Sequence, residues 1–150
     1  MSERTPSKRP VVVRVARGFE ASAERVFEAW LDPALAGRWL FATPDGVMQR
    51  IEIDARVGGR FAIVERRGDV EAYHGGVYVE LERPRRLVFR FAVDEALTDA
   101  TRVCVDVTPF DDESCELTLT HEMAPEHAAH KDRTHQGWRN VLAGLARVLG

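Results

Sequence analysis

The segment from Ala124 to Gly150, "APEHAAHKDRTHQGWRNVLAGLARVLG", limits the fold more than any other stretch, because it carries a long helical pattern after a run of short strand-like segments. Trp138, Val141, Leu142, Leu145, Val148 and Leu149 recur at i, i+3, i+4 and i+7, which puts them on one face of an α-helix. Carried backward, the same phase turns Thr134 or His135, Lys131, and His127 or Ala128 inward, where a solidly packed helix would have apolar residues. A helix that is apolar at one end and amphiphilic at the other can close the bottom of a cavity and line its mouth.

Upstream, strand-like segments are separated by turn signals at "TPDG", "VGG", "RGD", "ERPRR", "VDEALTD" and "FDDES", which predicts a meander of about six strands. In "RLVFRFAV", Leu87, Phe89, Phe91 and Val93 alternate with Val88, Arg90 and Ala92; in "TRVCVDVT", Val103, Val105 and Val107 take the buried face and Cys104 and Asp106 the other. In "CELTLTHE", His121 shares a face with Cys115, Leu117 and Leu119. A hairpin over "FDDES" leaves the two cysteines on opposite faces and out of register, so no disulfide is expected. Before the meander, "VVVRVARGF" reads as a strand. Ser22 caps a helix holding Ala23, Val26, Phe27, Trp30 and Leu31, and Asp32-Pro33 opens a second short helix over "PALAGRWLF". The class is α+β. Residues 1–10 read as a flexible polar arm and residues 11–150 as one domain.

The balance of 21 Lys and Arg against 24 Asp and Glu gives a net charge of -3, which offers no general attraction for nucleic acid or an anionic membrane. No apolar run is long enough to span a bilayer, and the polar start does not read as a signal peptide, so a cytoplasmic protein with reduced cysteines is expected.

Nearly the whole chain from about Val11 resembles the START-like superfamily of polyketide cyclases and lipid-transfer domains. Within it, the chain is similar to the family of the activator of the 90-kDa heat-shock protein ATPase. The resemblance is carried, in order, by "FEASAERVFEAWLDPALAGRW", "VGGRF", "HGGVYVELERPRRLVF", "LTLTHE" and "HQGWRNVLAGL". It implies a helix-grip fold: a curved antiparallel sheet of about six or seven strands around the long C-terminal helix, two short helices after the first strand, and a cavity between sheet and helix. Superfamily members include ligand carriers, cyclases, hydrolases and co-chaperones, so the fold leaves the function open. The heat-shock activator is similar only in its C-terminal part, and its N-terminal domain, associated with stimulating the ATPase, has no counterpart here. Strong stimulation of the chaperone by this chain alone is therefore not expected.

Four of the five histidines lie between His121 and His135. On one helix, His130 and His135 would point about 140° apart and no three histidines would share a face, so no metal site is expected. His121 faces inward and His135 approaches from the helix, in position to offer a hydrogen bond or a proton to a ligand. A hydrogen-bonded structural role for His121 is the simpler reading. Glu65, Glu71 and Glu122 fall near strand ends as solvated charges, and a thiolate at Cys104 is disfavoured by Asp106. No "GxSxG" elbow is present, and the glycines of "VGG" and "HGG" suit turns or bulges. Trp39, Phe41, Phe61, Tyr73, Phe89, Phe91 and Trp138 are able to line an apolar pocket; core packing accounts for most of them, but the resemblance requires some to face the cavity. Trp39, Phe61, Tyr73, Phe89, Phe91 and Trp138, with His121, Lys131 and His135, are the candidate ligand-binding residues, Tyr73 and His121 on the sheet side and Lys131 and His135 at the mouth. The leading expectation is a cofactor-free domain that binds a small hydrophobic or amphiphilic molecule without changing it, as a monomer or homodimer. The alternatives are a chaperone-binding module and a cyclase-like or hydrolase-like enzyme using His121, Tyr73 or His135.

Overall fold

The computed structural model describes residues 10–149, so the expected arm lies, apart from Pro10, outside the described residues. Strand β1 (Val11–Phe19) leads into helix α1 (Ala23–Glu28), where Ser22 Oγ accepts from Arg25 N at 3.2 Å and Ala23, Val26 and Phe27 are buried. Asp32 caps α2 (Pro33–Ala36), accepting from Ala34 N at 3.0 Å. This helix is shorter than "PALAGRWLF" suggests. Beyond it the chain runs through turns to Phe41, whose φ of 58° is left-handed and costs a non-glycine residue roughly 1–2 kcal/mol.

The meander follows as β2 (Val47–Ile53), β3 (Arg60–Arg67), β4 (Val70–Glu82), β5 (Arg86–Ala92), β6 (Thr101–Asp111) and β7 (Ser114–Met123). With β1 returning beside β7, the seven strands form one antiparallel sheet in the order β1-β7-β6-β5-β4-β3-β2. Each turn signal falls at a strand connection. The "HGG" glycines, in contrast, lie within β4, where a Cβ on Gly76 would collide with the carbonyl oxygen of Arg90 on β5. They allow close backbone approach.

The inner face buries Leu87, Phe89, Val103, Val105, Val107, Leu117 and Leu119 in the alternation read from sequence. Cys115 lies on this face and is fully buried. Cys104 lies on the opposite face, yet it and its cross-strand neighbour Val88 are also buried. Long side chains from flanking rows cover them: Arg86 bridges Glu80 at 3.2 Å and Asp106 at 2.8 Å, and Arg102 stands between Glu80 and Glu122. Burial, and then the bond from Cys104 Sγ to Asp106 at 3.2 Å, push the Cys104 thiol up to about 11. Both cysteines are free.

After β7 a 3-10 segment (Pro125–His130) precedes helix α3 (Lys131–Leu149). His127 departs from helical geometry at φ -101° and ψ 16°, so the phase of α3 does not extend back to His127 and His130. Ala124, at the start of this segment, has no side-chain cap, and Pro125 cannot donate a backbone bond. Within α3, Trp138, Leu142, Gly144 and Leu145 are buried, and the helix packs on β1 and α1. Trp30 and Trp39 meet edge to face at 4.8 Å between this helix and the sheet's inner face, and Trp39 Nε1 donates to Ala29 O at 3.1 Å. No helix among the described residues is long and apolar enough to cross a membrane.

Candidate functional site

Three elements enclose an open cleft of about 590 Å³: the loop after α2, the inner face of the sheet and the exposed edge of α3. The loop brings Phe41 to Pro44, the sheet brings Arg67, His74, Phe91 and His121, and α3 brings Thr134, Trp138, Val141 and Arg147. Apolar side chains dominate, with a few convergent polar groups, which is the usual composition of a small-molecule site.

The aromatic wall is ordered. Phe41 stacks on His74 with centroids 4.3 Å apart and planes within 6°, and on Phe91 at 5.3 Å and 16°. Trp138 leans against both phenyl rings at 5.7 and 5.9 Å, inclined by about 60°.

His121 is 6% exposed, and both of its ring nitrogens are engaged. Trp138 Nε1 donates to Nδ1 at 3.0 Å; because an indole N–H can only donate, Nδ1 must be the lone-pair nitrogen and the proton resides on Nε2. That proton points to Thr101 Oγ1 at 2.7 Å, and the threonine hydroxyl donates onward to Phe91 O at 3.4 Å. Burial lowers the His121 pKa to about 4. The ring is therefore neutral at pH 7 and anchors β7 to β6 and α3. Nitrogen-15 NMR at neutral pH is expected to show the Nε2–H tautomer for His121; a proton on Nδ1 would contradict the bond from Trp138.

His74 is different. Its Nδ1 is buried without a hydrogen-bond partner among the described residues. Burial first, and then the positive charge of Arg67, lower its pKa to about 4 against an opposing effect of Glu65. A neutral imidazole with an unmet nitrogen is thus part of the cleft wall.

Glu65 is 2% exposed and stands behind that wall. It accepts from Thr43 N at 2.9 Å, Thr43 Oγ1 at 2.9 Å and Arg67 Nε at 2.7 Å, while Arg67 Nη2 donates to Phe41 O at 2.9 Å. Burial alone would raise the Glu65 pKa, but the bonds from Arg67 and Thr43 outweigh it and hold the carboxyl below its usual range. The expectation of a solvated charge at a strand end fails for Glu65, because the loop after α2 folds over it.

Of the residues singled out from sequence, Phe91, His121 and Trp138 meet in the cleft. Trp39, Phe61 and Phe89 are buried in the core and do not line it. Lys131 is exposed and His135 half-buried, and neither lines the cleft; Thr134 does. Tyr73 lies on the opposite face of the sheet. A bulge between Tyr78 and Glu80 reverses the alternation, so that Leu81 and Tyr78 both face the core, while the phase read back from Leu81 misplaces Tyr73. His74 takes the inward position instead. Phe41, one of the aromatics able by sequence to line an apolar pocket, reaches the cleft from a left-handed backbone position, whereas Arg67 and Arg147 are hidden in sequence by the surface chemistry of arginine. His127 and His130 lie with ring centroids 6.0 Å apart and planes tilted by 32°, with Arg133 against His130 at 2.6 Å. No group of three or more His, Cys, Asp or Glu side chains suited to a metal occurs among the described residues.

A sheet wrapped on a C-terminal helix with a cleft between them defines a helix-grip protein of the START-like class. The chain belongs to the family described as Activator of Hsp90 ATPase homolog 1-like protein, which it matches over residues 20–150. A solved protein from Chromobacterium violaceum is 26% identical, covering 93% of this chain and 97% of that one with a TM-score of 0.78. An AHSA1-like protein from Aeromonas hydrophila is 23% identical over 91% of this chain and 92% of that one, with a TM-score of 0.75. A Rhodobacter sphaeroides protein is 21% identical over 97% and 95%, with a TM-score of 0.79. The latter two bear on fold alone. No curated protein matches the sequence.

Proposed function

We propose that this protein binds a small hydrophobic or amphiphilic molecule in the cleft between α3 and the sheet, without a cofactor and without chemically altering it. The observation that carries this reading is the aromatic wall of Phe41, Phe91 and Trp138 around an open volume of about 590 Å³, with a few polar side chains in its lining. Binding is favoured over turnover because His121 has its lone pair occupied by Trp138 and so cannot act as a base in this state. The reading is of a cytoplasmic monomer or homodimer that needs neither nucleic acid nor membrane. A chaperone-binding module is the second reading, favoured by the family match over residues 20–150.

Native mass spectrometry of gently purified protein tests the proposal, together with an amphiphile screen followed by Trp138 fluorescence and melting temperature. A bound small molecule, or a ligand that shifts both signals, is expected. If no adduct is found and the screen is silent, the binding reading fails, and capture of the 90-kDa chaperone by the same protein would replace it. Turnover of a bound compound, lost in His74→Gln, would instead establish an enzyme.

A further inference from the structure

Resting on the binding reading above, we propose that the cleft selects planar aromatic molecules that carry one anionic group, a carboxylate or sulfonate. The rings would pack on Phe41, Phe91 and Trp138 and the anion would lie between Arg147 and Arg38.

Three observations converge. The first is the sign of the charge around the cavity. The described residues lining the cleft include Arg67 and Arg147 and no Asp or Glu, and Arg67 is already engaged by Glu65 at 2.7 Å. The adjoining groove shares Asn140 and Arg147 with the cleft, adds Arg38, and also has no acidic residue in its wall. Among the described residues Arg147 and Arg38 have no ion-pair partner.

The second is the field outside it. The exposed surface of α3 carries Lys131, Arg133, Arg139 and Arg147 against Asp132, although the whole chain has a net charge of -3. This local reversal of sign draws anions towards the helix.

The third is spacing. The Arg147 guanidinium folds back to the level of Gly144, with Nη2 3.7 Å from the place a Cβ on that glycine would take. Gly144 is six residues beyond Trp138, about 9 Å further along the helix axis and roughly 120° around it, so a guest reaching from the indole to the guanidinium crosses the helix surface obliquely, a span suited to a fused ring system with an anionic substituent. Phe41, His74 and Phe91 lie with planes within 16° of one another, and Trp138 stands inclined to them, so the wall offers ordered ring surfaces to a flat guest. A guanidinium then supplies paired donors to the anion at the far end.

The test uses two fluorescent probes that differ in charge: 1-anilinonaphthalene-8-sulfonate and its uncharged parent, N-phenyl-1-naphthylamine. Both are titrated into the full chain at neutral pH and low salt. The sulfonate is expected to bind about tenfold more tightly than the parent, from one charge-assisted contact. Arg147→Gln is expected to lower sulfonate affinity by about fivefold to tenfold and to change that of the parent less than about twofold. Arg147→Lys should recover part of the loss, and Arg139→Gln, which removes a charge from the field of the helix but touches neither the cleft nor the groove, should lower sulfonate affinity by less than about twofold and leave the parent unchanged. Equal affinity for the two probes, or a sulfonate affinity indifferent to Arg147→Gln, overturns the anion preference while the binding reading stands. If neither probe binds, the aromatic and anionic selectivity proposed here is overturned, and the binding reading is then decided by the native adduct and the amphiphile screen.

Discussion

Lowering the pH from 6.5 to 4 is expected to remove several kcal/mol of stability, with the loss concentrated in that window. The cause is two histidines buried as neutral rings, His74 and His121, each lowered from 6.5 to about 4. In the unfolded chain they take up protons near 6.5; in the folded chain they resist until about 4. Between those values the unfolded state binds more protons, so stability rises with pH there and is complete above 6.5. Each shift corresponds to roughly 3 kcal/mol, and the pair to on the order of 5 kcal/mol once local relaxation is allowed for, against a typical total of about 5–15. Glu65 acts at the acid end. Its carboxyl is held low, so its contribution is present above the ordinary carboxylate range and disappears as pH falls through its own folded value. Urea unfolding at pH 7 and pH 4.5 measures the effect, and in His74→Phe the difference should shrink by about half because one of the two groups is gone. A stability that stays flat across the window, or NMR titration of either ring above pH 6, would falsify this assignment of buried neutral histidines.

The outline of the fold was legible because it depends on repeated local signals. Val103, Val105 and Val107 alternate over a strand, Trp138 to Leu149 keep helical phase, and each turn carries Gly, Pro, Asp or Asn-like chemistry at the point where the chain reverses. Strand order is beyond such signals, since β1 pairs with β7 across almost the whole chain and no local pattern encodes that. The start of α3 departs from the helical phase for a local reason: Pro125 to His130 has a sequence acceptable to an α-helix, but it is wound as 3-10 with a break at His127.

The cleft was only partly legible, because its chemistry depends on parity and on a long-range fold-back. A single bulge between Tyr78 and Glu80 exchanges Tyr73 for His74, and one added residue in a strand leaves no mark in composition. Glu65 could be recognised as a strand residue but not as a buried one, since what buries it is the loop Phe41–Gly46, more than 18 residues upstream and joined to it through Thr43. His121 was correctly placed inward by the alternation of "CELTLTHE". Its bond from Trp138 joins β7 to α3, which no periodicity in either segment can express.

That fold-back makes the second large effect predictable. Glu65 and Gly46 are expected to be strongly coupled, because a Cβ on Gly46 would collide with the Glu65 carboxylate. The carboxylate has little room to yield, held as it is by Thr43 N, Thr43 Oγ1 and Arg67 Nε. Glu65→Ala strips those donors of their acceptor and frees Arg67, which also fastens Phe41 through its carbonyl. Because the Arg67 side chain is 37% exposed and can be rehydrated, the cost is expected near about 3 kcal/mol, at the lower end for a broken buried pair. Gly46→Ala keeps every bonding group but displaces the loop, for about 2 kcal/mol. In the Glu65→Ala background the obstructing carboxylate is absent, so adding Gly46→Ala should cost less than about 0.5 kcal/mol, and the two changes together should fall well short of their sum. A double-mutant cycle by urea unfolding reads this directly. Strict additivity would mean that Gly46 is sensitive for some reason other than Glu65. With the expected coupling, the loop that forms one wall of the cleft depends on one buried carboxylate and its partner Arg67, and loosening it should weaken the ligand binding proposed above in the same order as it lowers stability.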